Sequence, residues 1–237
     1  MDQTPFTATP SAGITLDESA ERPDMSCLPD GSHAAGVQIA ALAHDLYARG
    51  WMPGTAGNIS VRQGDTAVIT VSGLSKGELS ATDMVRVKVL DSRPVPDDSR
   101  PPSAETAIHT AIYRAGRGTA VVHVHPPYAT ALSIFRYTND TRSIEFSGYE
   151  LIKGLGGTRP DVIEIPMFPN HAEATCIGAE VEKHLIDHPD APPVLFIAGH
   201  GITTWGENLA RARDRAECLE AISRLTILTG RREIQCA

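Results

Sequence analysis

The chain has 237 residues, 41% of them hydrophobic, which is enough to bury one sizeable core. A formal charge of −8 and a pI near 5.6 argue against a general nucleic-acid or membrane-surface binder and leave small molecules as the expected partners. Four scattered cysteines, Cys27, Cys176, Cys218 and Cys236, suggest neither a disulfide framework nor a thiolate zinc site. No lysine or arginine precedes Arg22, and no apolar run reaches membrane length, so the expectation is a soluble, cytoplasmic protein.

Residues 1–32 are rich in Thr, Ser, Pro, Asp and Glu and poor in large apolar side chains, the composition of a disordered tail, which leaves 33–237 as a single domain. From Ala34, the residues Ile39, Leu42, Leu46 and Tyr47 recur at helical spacing until Gly50. Strands follow over 58–62, 67–71 and 84–89. In the last of these Val85, Val87 and Val89 alternate with Arg86 and Lys88, which predicts a sheet with one wet face. Four prolines over 91–102 require a surface loop. Ser103 is placed to cap a helix reaching about Ala115, with Ile108 and Ile112 inward. Strands near 119–124, 162–166 and 193–198 then alternate with helices near 173–187 and 207–229. The pattern is α/β with antiparallel hairpins, and there is no internal repeat.

The apolar run ending at Val124 carries His123 and His125 at a spacing of two, so on a strand both rings face one side. With nine histidines, roughly 0.3 such pairs arise by chance, and the spacing alone therefore decides little. Context adds weight: the pair closes a buried-type strand, where open α/β folds bind ligands. His200 closes another such run between Gly199 and Gly201. Three imidazoles at strand ends make a catalytic zinc site with an open position, although iron, cobalt or manganese also suit such ligands.

Two loops, 55–60 and 71–76, offer backbone N–H groups, small side chains and Lys76 at strand ends, as a phosphate cradle does. Taken singly, either reads as an ordinary turn. A third cluster places Ser103 and Glu105 at a helix N-terminus. A carboxylate there ordinarily serves the helix dipole, but consecutive elements tend to be neighbours, which can bring Glu105 to the metal.

In order, Gly57-Asn58-Ile59-Ser60, Ser72-Gly73 with Lys76, Pro102-Ser103-Ala104-Glu105-Thr106, His123-Val124-His125 and Gly199-His200-Gly201 resemble the class II aldolase/adducin family over about residues 34–230. The resemblance implies a three-layer α/β/α domain around a mixed, largely antiparallel sheet, assembled as a homotetramer with its sites near subunit contacts. It implies one zinc ion per subunit on His123, His125 and His200, with Glu105 as a neighbouring acid or base. Gly57, Asn58, Ser72, Gly73, Lys76 and Ser103 would hold the phosphate of a small phosphorylated ketose.

Within the family, 148–154, 163–166 and 199–206 are similar to the branch that dehydrates such a ketose. There a glutamate matching Glu150 is the base, and Glu105, or a water it positions, would assist the departing hydroxyl. The two assignments are interchangeable at this stage, and Glu150 has an equally good partner in Lys153 on its own helix. Pro126 and Pro127 depart from the polar residues more usual after the histidines, which bears on pocket shape. Rival readings are a fuculose-1-phosphate-like aldolase, a pentulose-phosphate 4-epimerase, or an adducin-like interaction module, which would be expected to lose its metal residues.

Other prominent residues read as structural. His109 and His184 belong to helices beside the site or at the surface, and Trp205 either packs its loop or helps to shape an apolar pocket. Cys176 and Cys218 fill the core, and Arg211, Arg213 and Arg215 form solvated or intersubunit ion pairs.

Overall fold

The computed structural model describes residues 30–230 and 235–236, so the expected N-terminal tail lies outside the described residues up to position 29. The first helix, α1 (Asp30–Ala48), starts four residues before the expected Ala34. Its buried stripe of Ala35, Ile39, Leu42, Ala43 and Leu46 keeps helical spacing, and Gly50 follows it at a φ of 75°. A meander of β1 (Asn58–Gln63), β2 (Thr66–Thr70) and β3 (Met84–Lys88) comes next. Val85 and Val87 are buried and Lys88 exposed, which is the one wet face that the alternation predicts.

Then come α2 (Thr106–Arg114), β4 (Ala120–Val124), α3 (Pro127–Arg136), β5 (Ser143–Ser147) and a 3-10 helix (Glu150–Leu155). The chain continues through β6 (Val162–Phe168), α4 (Ala174–Asp187), β7 (Val194–Ile197), β8 (Gly201–Gly206), α5 (Leu209–Thr229) and β9 (Gln235–Cys236). The nine strands form one sheet in the order β3-β2-β1-β4-β8-β7-β6-β5-β9. Only β6 and β7 pair in parallel, so the sheet is mixed and largely antiparallel, as expected. Asn58 and Ser60 on one face of β1 bond to α2, which packs on α4. Thr204 on the opposite face of β8 bonds to α5, which packs with α1, α3 and the 3-10 helix. The result is three layers, with β4 and β7 buried along their whole lengths. Among the described residues no helix is long and apolar enough to cross a membrane.

Two local expectations differ, and the paired prolines find a place. Ser103 does not cap α2 with its side chain. The N-cap residue is Glu105, without a side-chain cap bond, and the Ser103 carbonyl accepts from Thr106 N at 3.1 Å and from Thr106 Oγ1 at 2.6 Å. The two prolines after the histidines begin α3, with Pro127 in the first turn, where its fixed φ and missing N–H suit the helix. Cys176 is exposed, because the inward stripe of α4 is Ile177, Gly178, Val181 and Leu185, and Cys176 falls beside it.

Register defines one end of the sheet. Val124 pairs with Ile202, Ile197 with Gly201 and Phe168 with Ile197, so the C-termini of β4, β6 and β7 and the start of β8 lie together. Asn58, opening β1, pairs with His123 at this same end.

Candidate metal centre

His123 lies on β4 between Asn58 of β1 and Thr203 of β8. His125 follows two residues on, its N–H bonded to the Trp51 carbonyl at 2.8 Å, and His200 sits in the tight turn between β7 and β8. The three rings meet edge to face with centroids 4.7, 4.9 and 5.0 Å apart. Glu105 completes the group, its carboxylate 3.1 Å from His200 Nε2 and 3.8 Å from His123 Nε2. One ligand atom from each of the four lies within 4.8 Å of the others.

Tetrahedral zinc at ordinary bond lengths wants donors roughly 3.3 Å apart, so small side-chain adjustments suffice to close the set on an ion. His123 Nδ1 is 2.9 Å from Thr203 Oγ1 and His200 Nδ1 is 3.2 Å from Asn170 Oδ1. These partners hold the rings from behind and leave each Nε2 facing the cluster. His123 and His125 approach through Nε2 at 3.0 Å. The residues present fit a divalent ion.

Burial pushes the pKa of His123 down to about 3 and that of His125 to about 4, keeping both as neutral ligands at physiological pH. Burial opposes ionisation of Glu105. Attraction to His123, with hydrogen bonds from His200 and Asn58, outweighs it and holds this carboxyl well below the ordinary range. Beside the centre a cleft of about 290 Å³ is lined by Ala104, Glu105, Asn170, His171, Ile177 and His200. A larger cavity of about 870 Å³ lies against Arg142, Glu164 and His184 and contains none of the four ligating residues, so donor chemistry rather than size marks the site.

The three polar clusters lie at the same end of the sheet as this centre. Gly57 has a φ of 76°, and a Cβ there would come within 3.0 Å of the His123 carbonyl, so only glycine lets this loop pass the metal strand. Asn58 Nδ2 donates to Glu105 Oε2. Ser72 N donates to the Pro101 carbonyl at 3.0 Å, joining the second loop to the Ser103 segment, and Gly73 has a φ of 80°. Lys76 is placed differently from a surface cation. It is 2% exposed, and its Nζ donates to the carbonyls of Thr55 at 2.8 Å and Leu74 at 2.9 Å, tying the two loops together from inside.

Glu150 is not brought to the cluster. Its side chain is 82% exposed and accepts from Lys153 Nζ at 2.7 Å. The chain reaches it from Ser147, which pairs with Val162, and leaves past Gly156, which approaches Pro193 just before β7. Both points lie at the sheet end opposite the histidines, roughly 20 Å away by the length of β6.

Thr203 and Asn170 were not foreseeable as ring partners. Only the β4–β8 register puts Thr203 opposite His123, and Asn170 lies in a loop thirty residues from its histidine. His109, read from sequence as a helix residue beside the site or at the surface, is fully buried under Glu105's helix turn. Trp205 is buried, in agreement with a packing role. Arg211 pairs with Glu207 and Arg213 with Asp214, while Arg215 bonds the Trp205 carbonyl.

Residues 37–227 match the model of the class II aldolase and adducin N-terminal domain. A bifunctional methylthioribose-1-phosphate isomerase/methylthioribulose-1-phosphate dehydratase of Nocardia farcinica is 63% identical over 197 residues, 83% of this chain. The matched part is 36% of that relative, so this chain spans about a third of its length. A methylthioribulose-1-phosphate dehydratase of Methylococcus capsulatus is 42% identical over 176 residues, covering 73% of this chain and 82% of that one. Among solved structures, YgbL of Escherichia coli superposes with a TM-score of 0.70 at 24% identity, covering 87% of this chain and 95% of that one.

Proposed function

Because the chain belongs to the class II aldolase and adducin family, we propose that it dehydrates 5-methylthioribulose 1-phosphate to 2,3-diketo-5-methylthiopentyl 1-phosphate in methionine salvage, as a cytoplasmic zinc-dependent homotetramer. The observation that carries this reading is the convergence of Glu105, His123, His125 and His200 with the two glycine-bearing loops at one sheet end. The names of the relatives select the substrate.

When bound, a divalent ion supplies Lewis-acid polarisation of the C2 carbonyl, which acidifies the C3 proton. The Gly57-Asn58 loop, the Ser72 hydroxyl and the Gly73 N–H, with Ser103, hold the C1 phosphate, and Lys76 braces both loops through their carbonyls. Glu150 takes the C3 proton. The C4–O bond then breaks, the departing hydroxide takes up a proton to leave as water, and the enol between C3 and C4 tautomerises to the 2,3-diketone. Glu105, held as a carboxylate, fits a ligand and proton acceptor better than the acid that releases the C4 hydroxyl. Glu150 points to solvent at the far end of its own sheet, so it acts on the centre of a neighbouring subunit.

The test is incubation of the zinc-loaded protein with methylthioribulose 1-phosphate and mass spectrometry of the products. Loss of one water supports the dehydratase, whereas scission between C3 and C4 into two carbon fragments would replace it with an aldolase. Full turnover by Glu150→Gln at normal zinc content would remove Glu150 from the mechanism.

A further inference from the structure

Helix α2 and strand β1 are joined by a polar ladder that continues inward from the metal centre. Glu105, His109 and Tyr113 lie at successive turns of one helix face, and Asn58 and Ser60 on one face of the strand. Asn58 bonds Glu105. One step along, Ser60 Oγ is 2.7 Å from His109 Nδ1 and 2.6 Å from the Tyr113 hydroxyl. Ser60, His109 and Tyr113 are all buried.

The proton positions follow from this geometry. Among the described residues Ser60 is the one hydrogen-bond partner of the Tyr113 hydroxyl, and a buried phenol donates where it has one acceptor. With Ser60 Oγ accepting from Tyr113, its own proton would go to His109 Nδ1 and the imidazole proton would sit on Nε2, the direction that the proposal below adopts. Burial keeps the ring neutral, its pKa pushed down to about 3. Among the described residues His109 Nε2 is buried with no partner, as is Asn58 Oδ1 on the neighbouring rung. Side chains on a helix lean toward its N-terminus, so the ring leans over the turn that carries Glu105.

We propose that His109 is a positioning residue for Glu105. Locked as the Nε2–H tautomer by the Tyr113–Ser60 pair, it presents a buried N–H beneath the Asn58–Glu105 rung and keeps the carboxylate aimed at the metal. Its effect on turnover rests on the dehydratase reading; its tautomer does not.

The decisive experiment is a long-range 1H–15N correlation spectrum of zinc-loaded, 15N-histidine-labelled protein at pH 7, with His109 identified by its loss in His109→Gln. The Nε2–H pattern is expected for the wild type, and a tautomer mixture for Tyr113→Phe. An Nδ1–H or imidazolium pattern in the wild type would overturn the assignment. In steady-state kinetics, His109→Asn retains an acceptor for Ser60 but no distal N–H, and it should lower kcat about 10-fold or more at unchanged zinc content and KM. His109→Gln, which carries an amide N–H at the distal position, should recover most of that loss. Equal kcat in His109→Asn and wild type at equal zinc content would overturn the positioning role. If the wild type itself fails to turn over methylthioribulose 1-phosphate, the spectrum still decides the tautomer and the failure belongs to the proposed reaction.

Discussion

The Thr203 hydroxyl behind His123 accounts for the choice of ring nitrogen offered to a metal. A 2.9 Å contact at Nδ1 turns Nε2 toward His125, Glu105 and His200. Thr203→Val keeps the branched shape of a β-strand residue and removes only the hydroxyl, so the fold should survive. Zinc affinity, measured by chelator competition, should fall about 10- to 100-fold. The same residues set a pH dependence. In the folded, metal-free protein His123 and His109 take up protons only near pH 3 and His125 only near pH 4. In the unfolded chain histidines do so near pH 6.5, so below that value the unfolded state binds more protons and stability falls with pH. Glu105, depressed below its ordinary value, acts in the same direction at lower pH. Each fully buried group contributes at most about 1.4 kcal/mol per pH unit. The urea midpoint of chelator-treated protein should therefore drop between pH 7 and pH 5, and a flat or rising midpoint would contradict the burial of neutral histidines.

Among the elements, the two loops braced by Lys76 are those that would hold the phosphate in the proposed reaction. Lys76→Met keeps the apolar stem and removes both bonds to the Thr55 and Leu74 carbonyls, leaving them to find other donors. We expect KM for the phosphorylated ketose to rise about 10-fold, zinc content to stay normal and stability to fall by about 1–3 kcal/mol. An unchanged KM would separate Lys76 from the phosphate loops.

The elements also divide by how well local pattern reports them. Strands β1 to β4, β6 and β7 and helices α1, α2, α4 and α5 were legible because each carries several apolar residues at one period. β8 was not: glycines bound it and Thr203 and Thr204 fill its middle, leaving only Ile202 and Trp205 as large apolar residues. Helix α3 was not legible either: it opens on two prolines, whose missing N–H costs nothing in the first helical turn. β5 holds only Ile144 and Phe146 as large apolar residues, too few to distinguish it from a loop.

For the whole molecule, the proposed role of Glu150 requires that it reach a centre at the opposite sheet end, and so in another subunit of the proposed tetramer. If neighbouring subunits complete each other's sites, two inactive variants should complement. Mixing His123→Ala with Glu150→Gln and reassembling the tetramers should restore about a quarter of wild-type turnover, the fraction of contacts that join an intact metal centre to an intact glutamate in a random cyclic mixture. No recovery from verified mixed tetramers would rule out action between subunits. Exposed apolar side chains on α3 and α5, Ile134, Phe135, Leu225 and Leu228, are consistent with an assembled state in which such surface is covered.

The histidine cluster and the two glycine-bearing loops were readable from the chain because their patterns are local. A strand spacing of two aims His123 and His125 alike, and glycines beside a polar residue mark a tight loop wherever they occur. What the chain could not reveal depends on elements far apart in sequence. The pairing of Thr203 with His123, the inward turn of Lys76, the buried ladder from Glu105 to Tyr113 and the distance of Glu150 from the histidines all follow from strand register and helix packing. A one-residue slip in that register would turn every such side chain to the other face, so these relations exist only in the folded sheet.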